Sequence, residues 1–346
     1  MRNKFVMLVA HDTDILGYRG DSIHTREILR TLLESGVDVC ILSLSSKLPR
    51  GSGRRIKKFL AIPKINIVLV SFYSALYALM LIIKNIGDIV KGKMVILSRT
   101  HLINLPTLLI KKLSGSPLIL RPVNMIENFY RFYKFGSLIK IFKIFEYSLY
   151  KNADLVLPQG IVLKKKIESL IKSCGGDASV IYLPGGVDVD LFKPIDMLSA
   201  KRKLGLREET YYFSYIGNFD VWYDFKLMLE SFKVVLKDYS AGLLLVGGGV
   251  LRREIEKTAR KLGILDAVKI IDWVPHRVVP LYINASVAGL IPWRISGSRN
   301  IGGLPLKLLE YLACGVPVVS LKNPICRFFL HKPFIRFVND DPIEFS

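Results

Sequence analysis

The feature that most constrains the fold is a repeated alternation of short apolar segments with amphipathic ones. Phe5–Ala10 is apolar, and the helix predicted at Ser22–Ser35 places four apolar side chains on one face, namely Ile28, Leu29, Leu32 and Leu33. Gly36 ends this helix, and Val37–Leu44 is again apolar. A strand, a helix and a second strand in this order predict the opening of a parallel, Rossmann-like sheet.

The same alternation continues and then starts afresh. Further strands are predicted in the first half at Val95–Ser98, Leu118–Arg121 and Leu155–Pro158. A second series begins near Tyr211, with strands predicted at Phe213–Gly217, Gly242–Val246, Val268–Ile271 and Val287–Pro292 and helices around Lys226–Lys237 and Leu251–Leu262. The sequence therefore predicts an α/β protein with two parallel sheets.

The chain of 346 residues is long enough for two domains, each with its own core. Leu183–Pro194 is rich in turn-forming residues and suits a connection between them. We therefore predict a first domain over residues 1–184, a linker and the start of the second domain over 185–210, and a second domain over 211–346.

One stretch, residues 302–319, suggests a chemistry. Gly302 and Gly303 precede a short helix that Pro305 opens, and such a start leaves backbone amides uncovered at the positive end of the helix. Glu310 follows five residues later, roughly 7.5 Å along the axis at about 1.5 Å per residue. That spacing suits a nucleoside diphosphate, with its phosphates on the amides and its ribose hydroxyls on the carboxylate. The alternative is an ordinary capped helix.

The same stretch resembles the C-terminal signature of the family 4 retaining glycosyltransferases, the glycosyl transferases group 1. Their pattern is Glu-Gly, a six-residue spacer, Glu, and then Ala-x-Gly-x-Pro-Val-Val. Gly303 and Glu310 match it, whereas Gly302 stands in place of the first glutamate. Leu183–Pro194 is similar to the family's interdomain signature, Pro-Asn-Gly-Val-Asp followed by Phe-x-Pro. The resemblance spans roughly residues 5–340.

This resemblance implies the GT-B fold, in which two Rossmann-like domains face each other across a cleft. It also implies transfer of a sugar from a nucleotide-sugar donor to a lipid-linked, polysaccharide or other envelope acceptor, with retention. Because Gly302 replaces a glutamate that lies beside the donor sugar in the family, the alternative is a catalytically impaired or non-catalytic subunit that still binds nucleotide. The family's C-terminal helices are expected to be missing from this chain.

The donor site follows from the match, residue by residue. Related enzymes bind the diphosphate with an arginine and, further on, a lysine after the first strand of the second domain. This chain has Asn218 in place of the arginine and Tyr223-Asp224 in place of the family's Lys-Gly. We therefore expect Lys307, Arg294 and backbone amides to hold the phosphates. The full set of predicted donor contacts is Gly20, Gly217, Asn218, Lys226, Val274, Pro275, Arg294, Gly302, Gly303, Leu304, Lys307 and Glu310. For Lys226 the alternative is a solvated helix lysine, and His276 is expected at the surface.

The first half offers fewer assignments. Arg19 and His24 are candidates for further anion contacts, with helix capping as the alternative for His24. Many family members place a His or Asp after the strand that ends near Arg121, and this chain has no acid or base there. Arg99 and His101 are weak candidates for catalytic or acceptor contacts, so the catalytic residues stay unassigned.

No metal and no other cofactor is expected. The four cysteines are scattered without metal-binding spacing, and no Asp-x-Asp pair falls in a suitable loop. Retaining transfer in this fold needs neither, because the leaving diphosphate can accept the proton of the acceptor while the protein supplies orientation and electrostatic stabilisation.

The net charge of +21 is uneven, with +16 on residues 1–184 and +5 on the rest. Such a basic half predicts an anionic partner: a lipid surface, nucleic acid or a phosphorylated acceptor. The sequence contains no helix-turn-helix, RNP or zinc pattern, so we do not expect nucleic acid.

Two stretches favour a membrane surface. Ile65–Ile83 is an uncharged run of 19 residues, and a span there would separate the first strand from its sheet partners. It is therefore predicted to be a buried or interfacial helix, near basic residues suited to anionic head groups at positions 54, 55, 57 and 58. Phe129–Lys151 mixes aromatic residues with Arg131, Lys134, Lys140 and Lys143. With no secretory signal, these patterns predict a cytoplasmic protein bound peripherally to the cytoplasmic face of the membrane. A core face with a solvated face is the alternative for both stretches.

Overall fold

The computed structural model describes residues 5–10, 17, 20–43, 56–61, 79–80, 83, 94–99, 105–123, 125, 138–293, 305–322, 333–339 and 341–345. These residues form two compact units that meet in the chain between Pro184 and Gly185.

The first unit is built on a seven-stranded parallel sheet with the order β3-β2-β1-β4-β5-β6-β7. Its strands are β1 Phe5–Ala10, β2 Asp38–Ser43, β3 Ile56–Ala61, β4 Met94–Ser98, β5 Leu118–Leu120, β6 Leu155–Val156 and β7 Ser179–Val180. The described helices are α1 Gly20–Glu34, α2 Leu105–Ser114, α3 Leu138–Lys151 and α4 Ile161–Ser173. The centre of the sheet is β1, with Phe5 opposite both Asp38 and Met94.

The second unit is built on a six-stranded parallel sheet with the order β10-β9-β8-β11-β12-β13. Its strands are β8 Tyr211–Asn218, β9 Ala241–Gly248, β10 Val268–Ile271, β11 Ala288–Ile291, β12 Val318–Leu321 and β13 Ile335–Val338. The helices are α5 Met197–Lys203, α6 Phe225–Val235, α7 Arg252–Leu262, α8 Val279–Asn284, α9 Leu306–Ala313 and α10 Pro342–Phe345, with 3-10 turns at Leu265–Ala267 and His276–Val278.

The central strands explain the apolar runs in the sequence. Every residue of β9 is buried, as expected for a parallel strand covered by helices on both faces. On β1, the residues from Val6 to Ala10 are buried in the same way. The predicted α/β class with parallel sheets is confirmed.

Two elements were not predicted from the sequence. Lys57 and Lys58, predicted among the basic residues facing lipid head groups, lie in β3, which the sequence analysis did not predict. This strand is at the edge of its sheet, and charged residues, which obscure an apolar pattern, are common on edge strands. The predicted linker region also contains a helix, α5, which is capped where the Asp196 carboxylate accepts from the Ser199 amide at 2.7 Å.

The apolar run Ile65–Ile83 lies mostly outside the described residues. Of its members that are described, Leu79, Met80 and Ile83 are exposed. Within the described part of the chain, no helix combines the length and the apolar character that a membrane crossing needs.

Candidate functional site

In the second unit, the paired ends of β8 and β9 and the turns that follow them pack backbone against backbone. Gly217 and Gly247 both have φ of 135°. A Cβ atom on Gly247 would lie 2.0 Å from the Gly217 carbonyl oxygen, and one on Gly249 would lie 2.3 Å from that of Phe219. The glycines predicted to form a tight turn are therefore required for this close approach. The two turns lie at the carboxyl edge of the sheet, where open α/β sheets bind ligands.

The ammonium group of Lys307 lies against the first of these turns. Lys307 is in the first turn of α9, and a Cβ atom on Gly217 would come within 2.9 Å of its Nζ atom. Nζ is 3.7 Å from the centre of the Tyr215 ring and 4.2 Å from that of Tyr223. It is buried and has no hydrogen-bond partner within the described ranges.

This environment is costly for a positive charge. Burial lowers the pKa of Lys307 to about 7, although the nearby Glu310 carboxylate acts in the opposite direction. The faces of the two tyrosine rings offset part of the lost hydration by cation–π attraction. A buried ammonium with no hydrogen-bond acceptor is stabilised when an anion binds beside it. The geometry therefore favours an anionic ligand at Gly217.

The two tyrosines are themselves held in place. The Tyr215 hydroxyl donates to the Asn218 carbonyl oxygen at 2.6 Å, and burial raises its pKa well above the usual value. Its ring packs edge-on against Tyr223, with the centroids 5.2 Å apart. Tyr223 forms a β-bridge with Trp293, and the Asn218 side-chain amide donates to Asp220 at 2.9 Å. The loop after β8 is thus a fixed support for the Lys307 ammonium group.

Glu310 is held by a residue that the sequence analysis placed elsewhere. The Nε2 atom of His276 lies 3.1 Å from a Glu310 carboxylate oxygen. The His276 ring packs on Phe192, with the centroids 5.0 Å apart. The expectation that His276 is a surface residue is therefore wrong. Its position five residues after the carboxyl end of β10, at the same edge of the sheet as the Gly217 turn, was the signal that could have identified it.

The other predicted donor contacts are less concentrated. Val274 is half-buried and packs on the core, whereas Pro275 is exposed. Lys226 is exposed and pairs with Glu230 at 3.7 Å. It is therefore a solvated helix lysine, the alternative given for it above, and the structure does not bring it to Lys307. The remaining predicted contacts in this region, Arg294, Gly302, Gly303 and Leu304, lie outside the described residues.

In the first unit, Gly20 is exposed and begins α1. Arg99 directly follows β4, is buried, and donates to the Asp21 carbonyl oxygen and the Thr25 hydroxyl. His101 lies outside the described residues. Considering only the described residues, no three or more His, Cys, Asp or Glu side chains are grouped to hold a metal ion.

Comparison with known families decides the classification of the second unit. Residues 196–338 match the family described as Glycosyl transferases group 1. The second unit belongs to this family. The predicted resemblance to group 1 glycosyl transferases is thereby confirmed, with Lys307, Glu310 and the Gly217 turn inside the matched segment.

Two curated relatives are similar to part of the chain. The D-inositol 3-phosphate glycosyltransferase of Geodermatophilus obscurus is 29% identical over 162 residues, which are 44% of this chain and 35% of that protein. The GDP-mannose-dependent alpha-(1-6)-phosphatidylinositol monomannoside mannosyltransferase of Mycobacterium tuberculosis is 29% identical over 151 residues, 42% of this chain and 39% of the relative. The chain therefore spans well under half the length of these curated relatives.

The likeness in structure extends over nearly the whole chain. The sucrose-phosphate synthase of Thermosynechococcus elongatus superimposes with a TM-score of 0.77 at 16% identity, covering 99% of this chain and 88% of that one. At this identity the likeness concerns the fold alone. The predicted GT-B fold class is confirmed.

Proposed function

We propose that this chain is a retaining glycosyltransferase that moves a sugar from a nucleoside-diphosphate sugar to a glycan or glycolipid acceptor. The observation that supports this most directly is the buried ammonium group of Lys307, which lies against Gly217 without a hydrogen-bond partner among the described residues. A donor pyrophosphate would supply the missing acceptor oxygens.

The position of Glu310 is consistent with the same donor. It lies in α9, one turn after Lys307, so that a ligand whose phosphates contact the lysine can place its ribose near the carboxylate. A carboxylate accepts hydrogen bonds from two vicinal hydroxyls, and His276 keeps this side chain in position. The other donor contacts remain predictions, namely Gly20, Asn218, Val274, Pro275, Arg294, Gly302, Gly303 and Leu304.

The proposed chemistry places few demands on the protein. The bond from the sugar to the diphosphate breaks as the acceptor hydroxyl attacks from the same face, and the leaving phosphate oxygen takes the hydroxyl proton. Lys307 stabilises the negative charge that develops on the leaving diphosphate, which is electrostatic catalysis in a site with little water. No metal ion is needed for this step.

For the acceptor we propose a molecule of the cell envelope that the protein meets at an anionic membrane surface on the cytoplasmic side. The name of one curated relative includes D-inositol 3-phosphate, and the name of the other includes phosphatidylinositol monomannoside. On the first unit, α3 exposes Ile144 and Tyr147 next to the exposed Lys140 and Lys151. Exposed apolar and aromatic side chains flanked by lysines suit the interface of an anionic bilayer.

The donor is tested by thermal unfolding of the full chain with UDP-, GDP- and ADP-sugars. One of these classes should raise Tm by several degrees at saturating concentration, since ligand at about 100 times Kd adds about 2.7 kcal/mol of stability. Glu310→Ala should abolish most of the shift, whereas Glu209→Ala, at an exposed glutamate of the same unit, should leave it unchanged. If no nucleotide sugar stabilises the protein, the proposal fails.

The impaired-subunit alternative rests on Gly302 and makes a different prediction for turnover. Donor hydrolysis or transfer by the purified chain, measured with the donor that stabilises it, distinguishes the two. Stabilisation without release of nucleoside diphosphate, also in the presence of membrane lipid extract, would favour the non-catalytic subunit.

A further inference from the structure

Two buried arginines lie at the carboxyl edge of the sheet in the first unit. Arg99 follows β4 and is 1% exposed, and Arg121 follows β5 and is 7% exposed. The strands are neighbours in the sheet, and the Arg121 amide donates to the Ser98 carbonyl oxygen at 2.8 Å. Two guanidinium groups are therefore brought together where parallel sheets place ligands.

The side chain of Arg121 is held by neutral acceptors. Its Nε atom donates to Nε2 of His24 at 3.0 Å, and its Nη2 atom donates to the Pro184 carbonyl oxygen at 3.4 Å. The amide nitrogen of Gln159 lies 2.7 Å from the same His24 nitrogen. Because an arginine nitrogen can only donate, His24 must be neutral and offer a lone pair at Nε2. Burial and the two arginines lower the pKa of His24 to about 3, which is consistent with a neutral ring.

Arg121 lies beside a second positive charge, that of Arg99. Within the described ranges, no carboxylate pairs with Arg121, and burial together with the charge of Arg99 lowers its pKa to about 10. The first two turns of α1, which carry His24 and the Asp21 carbonyl that Arg99 contacts, add the positive end of a helix dipole. The remaining nitrogen of Arg121, Nη1, has no acceptor among these residues, so it can donate to a ligand.

We propose that Arg121, with Arg99 behind it and His24 holding it, forms an anion site that takes a phosphate group. The planar guanidinium fork of Arg121 matches phosphate oxygens better than a point charge does, and the positive charge of Arg99 nearby adds to the attraction. If the proposed function holds, on which this assignment rests, the phosphate belongs to the acceptor. The neutral histidine orients the arginine without cancelling its charge.

The first experiment measures phosphate binding by the full chain, with Lys307→Met present throughout to remove the cation of the proposed donor site. Inorganic phosphate, compared with chloride at equal ionic strength, should raise Tm and slow amide exchange at residues 20–24 and 118–123. Arg121→Gln should weaken phosphate binding at least about tenfold, since a hydrogen bond to a charged group contributes that factor or more. Lys112→Gln, an equal loss of charge at an exposed lysine of the same unit, should not.

A purely structural role for the two arginines gives a different result. If phosphate leaves amide exchange at residues 20–24 and 118–123 of the Arg121-containing protein unchanged, the site does not exist, whether or not Arg121→Gln folds. Equal phosphate binding by a folded Arg121→Gln variant would also overturn the proposal.

Further measurements ask which molecule supplies the phosphate, and whether the proposed function can fail independently of the anion site. Once inorganic phosphate binds, a larger effect of Arg121→Gln on the binding of glycerol phosphate than on the binding of phosphatidylglycerol vesicles indicates a soluble phosphate ester. The opposite order, with phosphatidylcholine vesicles as the blank, indicates a lipid head group. Both support the anion site. Stabilisation by a nucleotide sugar is measured separately with Lys307 intact, and it should survive in Arg121→Gln. Its absence in every variant would sink the donor proposal and leave phosphate binding as a separate result.

Discussion

At the scale of single residues, Lys307 links donor binding to pH. Its pKa of about 7 in the unliganded protein means that the ammonium form dominates below this pH and the neutral amine above it. The groups facing it are Tyr215 and Tyr223, whose raised pKa values keep them neutral, and Glu310. A pyrophosphate binds only the ammonium form strongly, so the bound state takes up a proton above pH 7.

We therefore predict that the affinity for the nucleotide sugar identified in the thermal screen falls as pH rises from 6 to 9. The decrease should approach about tenfold per pH unit above the pKa. Calorimetric titrations in two buffers of different ionisation enthalpy measure the proton uptake directly. Lys307→Met should bind more weakly and show neither the pH dependence nor the uptake; an unchanged pH profile in this variant would assign the effect to another group.

The same residue makes a prediction about stability. The pKa of Lys307 is about 10.5 in an unfolded chain and about 7 in the folded one, so the unfolded state binds more protons between these values and stability rises with pH across that window. Below pH 7 the folded protein carries the full cost of a buried charge.

Lys307→Met should therefore stabilise the unliganded protein at pH 6 to 7, by about 1–3 kcal/mol, while it loses donor affinity. Urea unfolding measures the change. Lys226→Met, at an exposed lysine of the same unit, should change stability by less than about 0.5 kcal/mol. A loss of stability in Lys307→Met would mean that the ammonium group has a structural partner.

At the scale of elements, the turns after β8 and β9 depend on glycine. Gly247→Ala would place a Cβ atom 2.0 Å from the Gly217 carbonyl oxygen, and its φ of 135° also disfavours any side chain. We predict a loss of about 2–4 kcal/mol in the free energy of unfolding, from the clash and the strain together. Gly186→Ala, where nothing lies within 4 Å, should be nearly neutral. A tolerated Gly247→Ala would show that the two turns can separate.

How much of this the sequence predicts differs between elements and sites. Strands β1 and β9 are uninterrupted apolar runs with buried residues, so β1 was predicted at the exact bounds observed and β9 within two residues at each end. The edge strand β10 was also predicted at its observed bounds, although its Lys269 is exposed. The edge strand β3 was missed because lysines interrupt its pattern. Helix α9 was predicted from its proline start and glycine end, both of which are local signals.

The side-chain contacts of the candidate site were harder to predict from the sequence. The sequence identified Glu310 through a family motif and Lys307 through its place beside the glycine loop. It did not predict the tyrosines beside Lys307 or the contact of His276 with Glu310. These contacts join residues that are 34 to 92 positions apart in the chain, and they depend on how the ends of neighbouring strands meet. No local sequence pattern indicates which residues so far apart in the chain come into contact.

At the scale of the whole molecule, charge is distributed unevenly over a fold that other sequences share. The likeness to sucrose-phosphate synthase at 16% identity shows how few residues the fold itself requires. A parallel sheet does not require the net charge of +16 that residues 1–184 carry. Such a charge affects how a protein associates with other molecules. Under the proposed function, this charge would raise the local concentration of the protein at an anionic membrane surface.

We predict that the full chain floats with vesicles containing phosphatidylglycerol at low salt and not with phosphatidylcholine alone. Raising the salt from about 0.05 to 0.5 M should release most of it, because the Debye length falls below the distance between a lysine and a head group. Ile144→Glu, on exposed α3, should weaken binding by adding a negative charge and removing an apolar contact. Ile343→Glu, an equally exposed isoleucine in the second unit, serves as the control for charge alone. Equal weakening by both variants would mean that only net charge matters and that α3 has no special part, and failure to float at low salt would remove membrane attachment from the proposed function.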